Sequence, residues 1–257
     1  MKVHFRRILK IYRAIPTILT LGNVLCGFTA ILNVMLIFKV PESQRIMDVP
    51  PILVRSGWLI VGAMIFDLLD GWTARKLNAT SNIGMQMDSL ADMVTFGVSP
   101  AVMVCALAYL MAPRFLGKDF VWVWLLCGLY VSCVALRLAL YNVIAMKGEC
   151  SDEFNGLPSP GGAAAVASLI FVYSFCARDG ELKGVVAWLF GKDVVTQYVN
   201  NGLVADWILN FLPFYAGFLA ILMVSKVPYR HFGKWLGNKR HNKLKILLLI
   251  GFAAIFA

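Results

Sequence analysis

The chain has 257 residues, 60% hydrophobic and 15% charged, with a formal net charge of +10 and a mean hydropathy of +0.74. A soluble domain is nearer half apolar and a quarter charged, so an ordinary water-soluble globule is excluded. The excess falls in runs of about 20 residues, the length that crosses a bilayer as a helix. Backbone polar groups cannot be left unpaired in lipid, so the expected fold is all-α, a multi-pass transmembrane helix bundle.

In chain order, residues 1–14 are basic with apolar residues at helical spacing, and predict an amphipathic helix on the membrane surface. The apolar stretch that follows is too long for a signal-peptide core, which predicts an uncleaved first span. Six core spans are expected at 15–38, 56–77, 85–111, 121–146, 158–176 and 204–224. A shorter apolar tail, 244–257, follows. No repeat or linker divides residues 1–257, which predicts one integral-membrane domain. Lys2, Arg6, Arg7, Lys10 and Arg13, then Arg75 and Lys76, then the basic run from Lys226 to Lys245, place the N-terminus and the turn after the second span in the cytoplasm. The same residues explain the net charge through anionic membrane lipids, with no need for nucleic acid. The six cysteines form no CxxC pair and read as small buried hydrophobes.

Against this background the stretch "DLLDGWTARKLNATSNIGMQMDSLAD" carries four acids, Asp67, Asp70, Asp88 and Asp92. Asp67 and Asp70 are three apart at the end of the second span; Asp88 and Asp92 are four apart at the start of the third. Each spacing puts its pair on one helical face, and the polar turn between the helices lets all four converge. Taking each such ion out of water costs several kcal/mol even after relaxation, on the order of what pairing must offset. Oxygen ligands without His or Cys suit Mg²⁺ or Mn²⁺, and four carboxylates suffice for two ions. Gly71 and Ala74 leave room against the helix, and Arg75 can fork onto phosphate oxygens. The residues alone leave a proton or ion pathway open beside a diphosphate site.

The pattern D-x2-D-G-x2-A-R-x8-G-x3-D-x3-D, present without a mismatch, resembles the signature of the CDP-alcohol phosphotransferases. The resemblance implies an enzyme that moves a phosphatidyl or similar group from a CDP-linked donor to an alcohol and releases CMP. It implies that Asp67, Asp70 and Asp88 hold the metals, and that Asp92 is the catalytic base and also touches a metal. It further implies a donor site of Asp67, Gly71, Ala74, Arg75 and Gly84, and a homodimer; Asn23, an isolated polar residue in the apolar first span, is expected to face this site and join the donor set. Looser stretches, "IPTILTLGNVLCGFTAI", "DSLADMVTFGVSPAVM", "RLALYNV", "FNGLPSPGGAA" and "MVSKVPYRHF", are similar to bacterial-type phosphatidylserine synthases. They favour CDP-diacylglycerol as donor and L-serine as acceptor at an inner-membrane site. The acceptor set is Arg137, Asn142, Asn155 and Gly156, with Leu140 standing where such synthases are expected to carry a second arginine. The alternatives are a sister enzyme using glycerol 3-phosphate, inositol phosphate or choline, and, from another class, an ion-coupled transporter.

Overall fold

A computed structural model describes residues 2–77, 81–111, 121–147, 154–177, 203–225 and 228–229. The fold is helical: α1 (Lys2–Met35), α2 (Arg45–Lys76), α3 (Asn82–Asp92), a π-helical turn (Met93–Val98), α4 (Ser99–Met111), α5 (Val121–Lys147), α6 (Ser159–Ala177) and α7 (Leu203–Val224). Among the described residues the one departure into strand is a two-residue antiparallel pair, β1 (Phe154–Asn155) with β2 (Pro228–Tyr229). Among the described residues six helical segments are long and apolar enough to cross a membrane, α3 through α4 counting as one, and the protein is an integral membrane protein.

The first span shows how its sequence sets the packing. Thr20, Asn23, Gly27, Ala30 and Val34 recur at alternating steps of three and four and are all buried. Ile18, Leu21, Leu25, Phe28, Leu32 and Met35 recur at the same steps on the opposite side and are exposed. Small and polar residues therefore face the bundle while the large apolar ones face lipid, as close helix contact in a membrane requires. The buried face of α1 packs along α2, where the Ser56 hydroxyl approaches Ala30 O at 3.4 Å and Ile52 O at 3.0 Å. α6 and α7 close the other side of the bundle against α2, α4 and α5.

Two features of the spans differ from expectation. The helix of the second span begins at Arg45 instead of 56 and carries Pro50 and Pro51 in its second turn. Their missing N–H groups spare only the carbonyls of Ile46 and Met47, in the first turn. The third span is interrupted after Asp92 by the π turn, in which the Ser99 N–H bonds Val94 O, five residues back. Residues 2–14 are helical and run on into the first span without a break. The tail 244–257 and the basic run beyond Tyr229 lie outside the described residues.

Two glycines of α2 make a direct test of this packing. A Cβ on Gly57 would lie 2.6 Å from Phe171 Cζ, on a ring already packed against Trp58 with centroids 5.7 Å apart, whereas a Cβ on Gly62 would meet nothing within 4 Å. Gly57→Ala is expected to cost about 1–3 kcal/mol by overpacking, and Gly62→Ala to cost nothing. Thermal unfolding of the two purified variants in detergent measures the difference.

Candidate active site

Asp67 and Asp70 project from the last turns of α2 and Asp88 and Asp92 from α3, so the four acids meet at one end of the bundle. The turn is organised by Ser81, whose hydroxyl oxygen accepts the Gly84 N–H at 3.0 Å and caps α3. A Cβ on Gly84 would lie 3.1 Å from that oxygen, so Gly84 serves the cap directly. Asp70 and Asp92 are buried, and Asp67 and Asp88 are half-buried.

One carboxylate oxygen each from Asp67, Asp70 and Asp88 lies within 4.8 Å of the other two. Octahedral Mg²⁺ holds opposite ligands roughly 4.2 Å apart, at about 2.1 Å each, so the three are close to a ligand set without large movement. Asp88 Oδ1 is buried without a hydrogen-bond partner, and among the described residues no Lys or Arg pairs with any of the four acids. Converging anionic oxygens with an orphaned lone pair and no protein cation fit a divalent metal ion. Asp92 stands outside this triad.

Polar residues of α1 supply what the hairpin lacks. The Thr20 hydroxyl lies 2.9 Å from Asp70 Oδ2, and the Asn23 amide donates to Asp92 Oδ1 at 3.1 Å. The π turn returns the contact: the Thr95 hydroxyl donates to the main-chain oxygen of Asn23 at 3.2 Å. Asn23 was expected to face the site. Thr20 and Thr95 were not singled out, although each sits three residues from a site residue in an apolar span, the spacing that shares its face.

Arg75 is exposed at the rim, and its guanidinium lies over Gly71, where a Cβ would be 3.6 Å from one terminal nitrogen. Gly71 thus keeps the surface beside the arginine open, and Ala74 adds little bulk on the same stretch. Neighbouring Lys76 lies over the Trp72 ring, 4.5 Å from its centroid.

The expected acceptor residues divide into two places. Asn142 is buried at the end of α5, and its amide donates to the Ser89 hydroxyl oxygen at 2.9 Å, tying α5 to the helix that carries Asp88 and Asp92. Arg137 is half-buried and donates to Met223 O, at the end of α7, at 3.3 Å. The same helix end receives the 154–157 segment. The Leu157 N–H bonds Leu222 O at 3.1 Å, and Asn155 pairs through its backbone with Pro228. Gly156, at φ +88°, is so close to Met223 O and Ser225 O that any side chain would collide. Gly156 therefore has a packing reason to be glycine. Leu140, where a second arginine was expected, is exposed on α5, 50% accessible.

Known proteins give the site its context. A family model described as CDP-alcohol phosphatidyltransferase matches residues 13–199. A CDP-diacylglycerol–serine O-phosphatidyltransferase of Helicobacter pylori is 30% identical over 238 residues, 91% of this chain and 80% of its own. One from Bacillus subtilis is 34% identical over 161 residues, 62% of this chain and 77% of its own. An archaetidylserine synthase of Methanothermobacter thermautotrophicus is 32% identical over 158 residues, 60% of this chain and 57% of its own. The matched segment takes in the hairpin with all four acids and the face of α1 that bonds them, and on that match the chain belongs to the CDP-alcohol phosphatidyltransferase family.

Proposed function

We propose that the protein transfers the phosphatidyl group from CDP-diacylglycerol to the hydroxyl of L-serine, giving phosphatidylserine and CMP. The observation that carries the reaction class is the triad of carboxylate oxygens within 4.8 Å in a chain of this family. The acceptor is supported by relatives named for serine, one of them aligned with 91% of this chain. The positive-inside pattern supports a site on the cytoplasmic face of the inner membrane, beside anionic lipids, and the family resemblance supports a homodimer.

Asp67, Asp70 and Asp88 would hold Mg²⁺ or Mn²⁺, with two ions as the proposed count. The metal supplies charge neutralisation of the diphosphate and of the departing CMP. Arg75 binds diphosphate oxygens at the rim, where Gly71 and Ala74 leave the helix surface open. Asp92, outside the triad, takes the proton of the acceptor hydroxyl. The serine oxygen forms its bond to the phosphatidyl phosphorus as the bond from that phosphorus to the CMP oxygen breaks, so no covalent enzyme intermediate is required. Asn142 orients α3 through Ser89. Arg137 steadies the end of α7, beside the 154–157 segment, where the serine carboxylate would find a cation.

The test is CMP release by the purified protein with CDP-diacylglycerol and Mn²⁺ or Mg²⁺, offering serine, glycerol 3-phosphate, inositol phosphate and choline separately. Release with serine alone is expected. Release with a different alcohol would replace the acceptor, and metal binding without any release would return the site to ion transport.

The division of labour among the acids has its own test. Asp92→Asn is expected to lower turnover about 10²–10⁴-fold, the usual contribution of a general base, while donor binding survives. Asp67→Asn and Asp88→Asn are expected to lose both turnover and metal-dependent donor binding. Equal loss of CDP-diacylglycerol affinity in all three would sink the assignment. Arg75→Lys replaces a planar fork by a point charge and should weaken donor binding about tenfold, read by equilibrium binding.

A further inference from the structure

We infer that Asn23 and Thr95 are positioning residues that hold Asp92 for proton transfer, instead of Asn23 binding the CDP donor. This rests on Asp92 being the base, and it goes beyond the family signature, which contains neither residue. Three observations carry it. Asn23 is wholly buried in the first span, and its amide N–H is committed to Asp92 Oδ1 at 3.1 Å. The amide orientation follows from the partner: turned over, it would set two oxygens against each other at that distance. Asn23 Oδ1 has no hydrogen-bond partner among the described residues, so Asp92 is the group that fixes the rotation of the amide.

The second observation is the return contact. The Thr95 hydroxyl donates to Asn23 O at 3.2 Å, on the carbonyl's second lone pair beside its helical bond. Thr95 is wholly buried and stands three residues beyond Asp92, in the π turn. The two chains therefore grip each other reciprocally, Asn23 holding the Asp92 side chain and Thr95 holding the Asn23 backbone.

The third is the closeness this demands. A Cβ on Gly27, one turn beyond Asn23, would lie 2.8 Å from Thr95 Cα, so glycine at that point lets the two backbones approach. On the far side the Tyr130 hydroxyl, from α5, donates to Phe96 O at 3.0 Å, so the turn is held from both flanks. With Oδ1 of Asp92 fixed by the amide, its other oxygen is the one left to receive the acceptor's proton. π turns inside helices recur at functional sites, and here the turn begins at the residue after the base.

The experiment compares wild type with Asn23→Ala, Thr95→Val and Thr95→Ser. Steady-state CMP release is measured at saturating Mn²⁺, together with equilibrium binding of CDP-diacylglycerol on the same preparations. Asn23→Ala is expected to lower kcat on the order of 10–100-fold, the scale of lost orienting partners, with KM and donor affinity unchanged. Thr95→Val, isosteric but without the hydroxyl, should lower kcat about tenfold on the same scale, and Thr95→Ser should restore it. Donor affinity falling in step with kcat would make Asn23 a donor contact and overturn the proposal. So would Thr95→Ser proving as slow as Thr95→Val. If Asn23→Ala does not fold, the Thr95 pair decides alone. Because the grip acts on the base and not on the acceptor, a wild type that uses another alcohol would discard serine, and the variants compared in that alcohol would still decide the proposal.

Discussion

Four carboxylates drawn together at one end of a membrane bundle, with no cationic side chain paired to them among the described residues, are the constraint on which the rest of the structure turns. Like charges out of water are stable only with compensation. The protein supplies hydrogen-bond donors to two of them, Thr20 to Asp70 and Asn23 to Asp92, and leaves Asp88 Oδ1 without one. The uncompensated remainder is anionic oxygen in a compact set. Such chemistry suits a divalent cation, and the oxygens that lie within 4.8 Å of one another are those of Asp67, Asp70 and Asp88.

The surrounding helices can be understood as supports for this end. α1 presents a polar and small face to the acids and an apolar face to lipid. α5 bonds α3 through Asn142 and the π turn through Tyr130. The end of α7 is tied to α5 through Arg137 and to the 154–157 segment through backbone bonds. Hydrogen bonds between helices are worth only a modest amount each in a membrane, about 0.6 kcal/mol on average. Their value here is positional: each fixes a helix at the end where the acids sit.

Much of this was legible without coordinates. Runs of apolar residues gave six spans because the bilayer imposes a length, and four of the six agree with the helices to within about two residues, the ordinary scatter of helix ends. The acidic hairpin was legible because its spacings are local, three and four residues on one helix. The helix of the second span starts at Arg45 instead of 56 and runs through Pro50, Pro51 and Arg55, which interrupt the apolar run from which a span is read. The π turn left no mark in composition: "MVTFGV" is ordinary apolar sequence, and its widened turn depends on contacts from α1 and α5.

By itself the sequence determined a multi-pass helical membrane protein with an acid-rich hairpin of family-specific spacing, since span length and helical periodicity are properties of contiguous residues. Only the tertiary structure decided which groups reach the acids. Thr20 meets Asp70 across 50 residues of chain and Asn23 meets Asp92 across 69, and no local spacing encodes such a pair. It also gave Gly156 its reason, a left-handed residue wedged against the carbonyls that end the last described span. Arg137, which sequence could place only at a depth in its helix, donates to one of those same carbonyls, on Met223. Spacing along one helix fixes which side chains share a face; the packing of several helices fixes what that face meets.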